Sequence, residues 1–110
     1  MPSFKEIFDE MEDELAVFAR KSWATYKDEA TQDAKEFLGS SREKLQRWIT
    51  ALSQGAIDQD DFEWLMSSQK ELAKLNALTR QGLSAIKMER FLNGVVDIII
   101  STVFRLIPGA

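Results

Sequence analysis

Phe91–Ile107 reads FLNGVVDIIISTVFRLI, and how this stretch is covered decides the fold. Eleven of its seventeen residues are large and apolar: Phe91, Leu92, Val95, Val96, Ile98, Ile99, Ile100, Val103, Phe104, Leu106 and Ile107. Wound as a helix, the segment leaves one thin polar stripe, Asn93, Asp97, Ser101 and Arg105, at four-residue steps. Such a stripe occupies well under half the circumference, so most of the helix surface needs cover. Burying each large apolar side chain is worth roughly 1.5–3 kcal/mol, so exposure to water is not a stable state.

Three covers are open: the rest of the chain, a second copy, or a lipid surface. A transmembrane span is the weakest reading. Seventeen residues make a helix of roughly 25 Å, short of a bilayer core of about 30 Å, and Asp97 and Arg105 lie within it. The β-branched run from Val95 to Ile100 has strand propensity as well. Nothing else in the chain offers a strand partner, and a lone strand leaves its backbone groups unpaired. The segment is therefore expected to be helical.

Composition agrees with a helical domain. With 110 residues there is room for one domain with a modest core. Apolar content of 45% against 29% charged residues separates the chain from disordered sequences. Two prolines and five glycines leave few turns, which favours long helices over a sheet. The absence of cysteine removes disulfides, thiolate nucleophiles and cysteine metal sites. The first eighteen residues, MPSFKEIFDEMEDELAVF, lack the basic-then-apolar order of a signal peptide, and a soluble, cytoplasmic protein is expected.

The net charge of −4 is unevenly spread: residues 1–14 hold six acids and one base, residues 65–110 three acids and six bases. The plainer reading of the acidic run is a solvated helix face. The sharper one sets it against the basic C-terminal half, within the chain or across a dimer. An acidic balance also argues against nucleic acid as a partner, because that binding rests on phosphate neutralisation by Lys and Arg.

Along the chain, Ser3 and Glu6 form a capping-box signature. Phe4, Ile7, Phe8, Met11, Leu15 and Phe18 then recur at helical steps. The spacing predicts one helix over about residues 4–38, with an interruption possible near residues 22–25. Gly39 is the expected left-handed stop, and Ser40 with Glu43 repeats the capping grammar for a short second helix, about 41–53, that Gly55 ends. Asp58 is the expected N-cap of a third helix, about 58–92, with Asp60, Asp61 and Glu63 in its first turn. Leu65, Leu72, Thr79 and Ile86 there stand seven apart, a coiled-coil-like seam with Gln69, Asn76 and Thr79 at its edge. Gly82 and Gly94 are both candidate breaks; the one near Asn93-Gly94 is preferred, which gives a fourth helix over about 95–107.

Catalytic signatures do not assemble. Gly55–Phe62 resembles the second half of an EF-hand loop, but Thr50, Leu52 and Gln54 stand where the early ligands belong. A helix-stop glycine followed by an acidic N-cap explains the same string. Glu6, Glu10, Asp13 and Glu14 share a helix face, yet ferritin-like sites add histidines and this chain has none. That absence also removes the usual general base and the Ser-His pair. The aromatics Trp23, Tyr26, Trp48 and Phe62 are expected in the core. One helix face cannot take Trp64 as well as Phe62, Leu65 and Met66, so Trp64 is a candidate contact with a second chain.

The expectation is an all-α single domain, residues 1–110, folded as an antiparallel helical bundle of three to four helices: two long, one short and one apolar at the C-terminus. It is expected to be non-enzymatic, without cofactor or metal, and to act by self-association as a dimer or by contact with a helical protein partner. Trp64, Val95, Val96, Ile99, Ile100, Val103, Phe104 and Ile107 are the candidate interface. The alternative is a peripheral membrane- or lipid-binding protein that uses the C-terminal helix, with Lys87, Arg90 and Arg105 near the head groups.

Overall fold

In the computed structural model, which describes residues 2–107, the chain is helical, with six α-helices and two 3-10 turns. They are α1 (Phe4–Ser22), α2 (Lys27–Ser40), α3 (Arg42–Ser53), α4 (Gln59–Ser68), α5 (Asn76–Arg80) and α6 (Ala85–Leu106). The all-α expectation holds; the expected three to four helices become six.

Local signals set several of the boundaries. The Ser3 hydroxyl accepts from the Glu6 amide at 3.2 Å and opens α1. Asp58 and Asp61 form a reciprocal box at the start of α4: the Asp61 amide donates to Asp58 Oδ1 at 2.8 Å, and the Asp58 amide to Asp61 Oδ2 at 3.1 Å. The two carboxylates that suggested half a calcium loop are thereby engaged in capping. Gly55, at φ 75°, closes α3 in the left-handed region that glycine tolerates without a Cβ clash.

Other boundaries depart from the sequence reading. The expected helix over 4–38 is two helices: it bends at Trp23, within the residues 22–25 where the sequence allows an interruption, and the 3-10 turn Ala24–Tyr26 intervenes. Trp23 sits edge-on against Phe91, ring centroids 5.4 Å apart, and both Trp23 and Tyr26 pack on the core. The bend brings α2 back against α1. Gly39 is not a left-handed stop: positive φ is found at Gly55 and Gly82, and α2 runs on through Ser40. Ser40 does not cap α3 either; its hydroxyl donates to the Phe37 carbonyl one turn back, and Ser41 takes the N-cap position without a side-chain bond.

The largest departure concerns 58–92. That stretch is not one helix. α4 ends at Ser68, a 3-10 turn follows over Gln69–Leu72, and Ala73 is extended at φ −72°, ψ 138°. After the short α5, Gly82 at φ 75° turns the chain and Ser84 caps α6 by accepting from the Lys87 amide at 3.2 Å. The interruption turns Leu75 and Leu78 into the core while Leu72 stays exposed. The seven-residue seam therefore fails: Leu72, Thr79 and Ile86 all face solvent, since the helix it presumed does not continue.

Gly94, the preferred break, lies within an unbroken α6. Its missing side chain serves a close approach: a Cβ there would stand 2.5 Å from Phe18 Cζ on α1. Glu10 meets Arg105 and Phe18 meets Gly94, so α1 and α6 run in opposite directions side by side. α4 lies against α6 in the same sense, with Phe62 near Phe104 and Lys70 bonded to Asn93. The core between them holds Ile7, Met11, Leu15, Phe62, Met66, Phe91, Val95 and Ile99, all at 0–1% exposure. α3 is tied to α1 by the Arg42 guanidinium, 4.7 Å from the Phe8 ring centre and 5.5 Å from that of Phe4.

Candidate functional site

The residues proposed as an interface divide into two groups. Val95, Val96, Ile99, Val103 and Ile107 are buried by the chain's own helices, so they present no surface to a second copy. Ile100 and Phe104 are half-buried, and Phe104 packs on Phe62 at 5.9 Å. Trp64 stands apart, 71% exposed on α4. It points out because Phe62 and Met66, two residues to either side, point in. Trp23, Tyr26 and Trp48 pack against the core as expected of them.

One turn beyond Trp64, Ser67 lines a cleft of about 510 Å³ between the end of α4, α5 and the first half of α6. Ala73, Leu75, Met88 and Leu92 give it an apolar floor. Its rim carries Glu71, Glu89 and the Lys70–Asn93 pair, in which the ammonium donates to Asn93 Oδ1 at 2.8 Å. The cleft suits an apolar group with a polar edge. Ser67 and Thr79 add hydroxyls to the lining.

The carboxylates of α1 have partners of another kind. Arg105 of α6 donates to Glu10 Oε1 at 3.3 Å and stands 3.9 Å from Glu14. Of the two readings of the acidic run, the pairing with the basic C-terminal half is thus present within the chain. Lys5 is hydrogen-bonded and ion-paired with Asp9 at 2.8 Å, which holds its ammonium above the ordinary lysine range. All three pairs are open to solvent, which screens them. Among the described residues no group of three or more Asp, Glu, His or Cys side chains gathers as a metal site.

Sequence reasoning missed Asp33. This carboxylate is fully buried on α2, and its two oxygens accept from the Ala77 amide at 3.0 Å and the Leu78 amide at 2.8 Å. It acts as a cap for α5, which has no side-chain cap of its own. Asp33 stands three residues after Ala30 and four before Phe37, on the apolar face of the helix; that spacing marks its burial, but nothing local marks its partners. Ser84 was missed as well, although Gly82-Leu83-Ser84 carries a legible stop and start.

No family model matches the chain, and neither a curated protein nor a solved structure matches it. Among the described residues, no helix is long and apolar enough to cross a membrane.

Proposed function

We propose that the protein is a non-enzymatic helical module that acts by contact with another chain, a second copy or a helical partner. Trp64 carries this reading. A tryptophan holds a large apolar surface, and one that is 71% exposed, one helical turn from Ser67 in the cleft lining, has the form of an interface anchor. Of the candidate interface residues, Trp64 remains as the centre, with Ile100 and Phe104 half-buried elsewhere, and the five side chains that the fold itself covers are left out. The antiparallel bundle belongs to the same proposal; the opposed courses of α1 and α4 against α6 support it.

The test is molar mass by light scattering on a size-exclusion column over a wide concentration range. The full chain is expected to gain mass with concentration, and Trp64→Ala to remain a monomer at the same melting temperature. A parent chain that stays monomeric throughout would remove self-association from the proposal. Equal association by Trp64→Ala would place the contact elsewhere.

A further inference from the structure

A second cleft, of about 260 Å³, lies where the bend between α1 and α2 meets the start of α6. Trp23 and Tyr26 form one wall, and Lys87 and Arg90, one turn apart on α6, form the other. Ser22 and Thr25 add hydroxyls, and no carboxylate lines it. Neither Lys87 nor Arg90 is ion-paired among the described residues, whereas Arg105 on the same helix is. The Ser22, Thr25 and Tyr26 hydroxyls likewise make no hydrogen bond to another described residue. In sequence, Lys21 and Lys27 flank the bend, Asp28 and Glu29 follow in the first turn of α2, and Glu89 lies between Lys87 and Arg90. In a chain of net charge −4, the lining of this cleft holds two cations, three hydroxyls and no acid.

We infer that this cleft binds an oxyanion of the phosphate class. A guanidinium presents a planar fork of donors that matches phosphate oxygens, and an ammonium adds a point charge beside it. The half-buried Trp23 and Tyr26 close one side of the cleft. The volume lies just below the roughly 300–1,000 Å³ typical of small-molecule pockets, which fits a phosphate or a phosphorylated head group rather than a large cofactor. The phosphate can come from a soluble ester or from a lipid head group. Exposed Ile86, beside Lys87, would touch the acyl boundary in the second case. The inference does not depend on the Trp64 interface.

Two arms separate the sources. In the first, nitrogen–proton correlation spectra of the full chain follow the Trp23 indole and the Ala24 and Thr25 amides as inorganic phosphate or pyrophosphate is added at fixed ionic strength. In the second, sedimentation compares phosphatidylglycerol with phosphatidylcholine vesicles. Saturable shifts at these reporters, or capture by the anionic vesicles alone, support the site and identify its source. Lys87→Ala/Arg90→Ala, two exposed positions, is expected to keep the parent's circular dichroism and to bind about tenfold more weakly. Absence of both responses, an undiminished response in the double variant, or an equal response to polyglutamate of matched charge would each overturn it.

Discussion

At the scale of single residues, Asp33 is the side chain on which the irregular half of the fold leans. α5 is five residues long, too short to persist by helix propagation, and it begins at Asn76 after an extended Ala73. Its first amides would be buried without acceptors if Asp33, on α2, did not supply both carboxylate oxygens. A buried donor left unpaired costs about 1–3 kcal/mol. Asp33→Ala strands two of them, and a loss of about 2–5 kcal/mol is expected from thermal or denaturant unfolding. Asp33→Asn, which keeps one acceptor oxygen, should lose less. Amide exchange at Ala77 and Leu78 should quicken in both variants before exchange in α1 does. If those two amides stay as protected as in the parent, Asp33 is not what holds α5.

At the scale of elements, the close passage of α1 over α6 explains a glycine in mid-helix. Replacing Gly94 by alanine gains about 1 kcal/mol of helix propensity. Against this, the new Cβ would lie 2.5 Å from Phe18 Cζ and 2.8 Å from Cε1. The Phe18 ring is half-buried and packs on Phe91 at 5.9 Å between centroids, so making room means turning outward and giving up part of that contact. Overpacking of this kind costs about 1–3 kcal/mol, so the larger effect wins and Gly94→Ala should lower the melting temperature. Phe18→Leu in the same chain should return part of the loss; a stabilised Gly94→Ala would mean the helices separate readily. Glycine is also where the sequence was hardest to read. Gly55 and the Ser3 and Asp58 N-caps are local devices, complete within a few residues, and they were legible; the reciprocal half expected of Glu6 does not form, and the one Asp61 supplies was not read. Gly39, Gly82 and Gly94 look alike in the sequence yet continue a helix, turn the chain and admit a neighbouring ring. Which of these a glycine does is set by residues far away, Phe18 for Gly94, and periodicity cannot report it. The same limit hid Asp33, whose partners lie 44 and 45 residues along the chain.

For the whole molecule, the governing fact is that one copy of the chain covers most of its most apolar helix. α6 lies between α1 and α4, and within Phe91–Ile107 the exposed residues are the polar stripe, Asn93, Asp97, Ser101 and Arg105. The strong hydrophobicity of Phe91–Ile107 therefore reports a central helix more than an intermolecular seam. Ile99→Asp separates the two meanings. Ile99 is at 0% exposure, and a carboxylate there is buried without a partner, at a cost of several kcal/mol against a total stability of about 5–15 kcal/mol. The expected outcome is a chain that loses near-ultraviolet circular dichroism and cooperative melting at every concentration. Were Ile99 instead at a contact between copies, Ile99→Asp would give a folded monomer with an intact near-ultraviolet signal. Trp64→Ala is the matched control, expected to keep the fold and alter association alone. A folded Ile99→Asp chain would return the C-terminal helix to the interface and require α6 to lie open in the single copy.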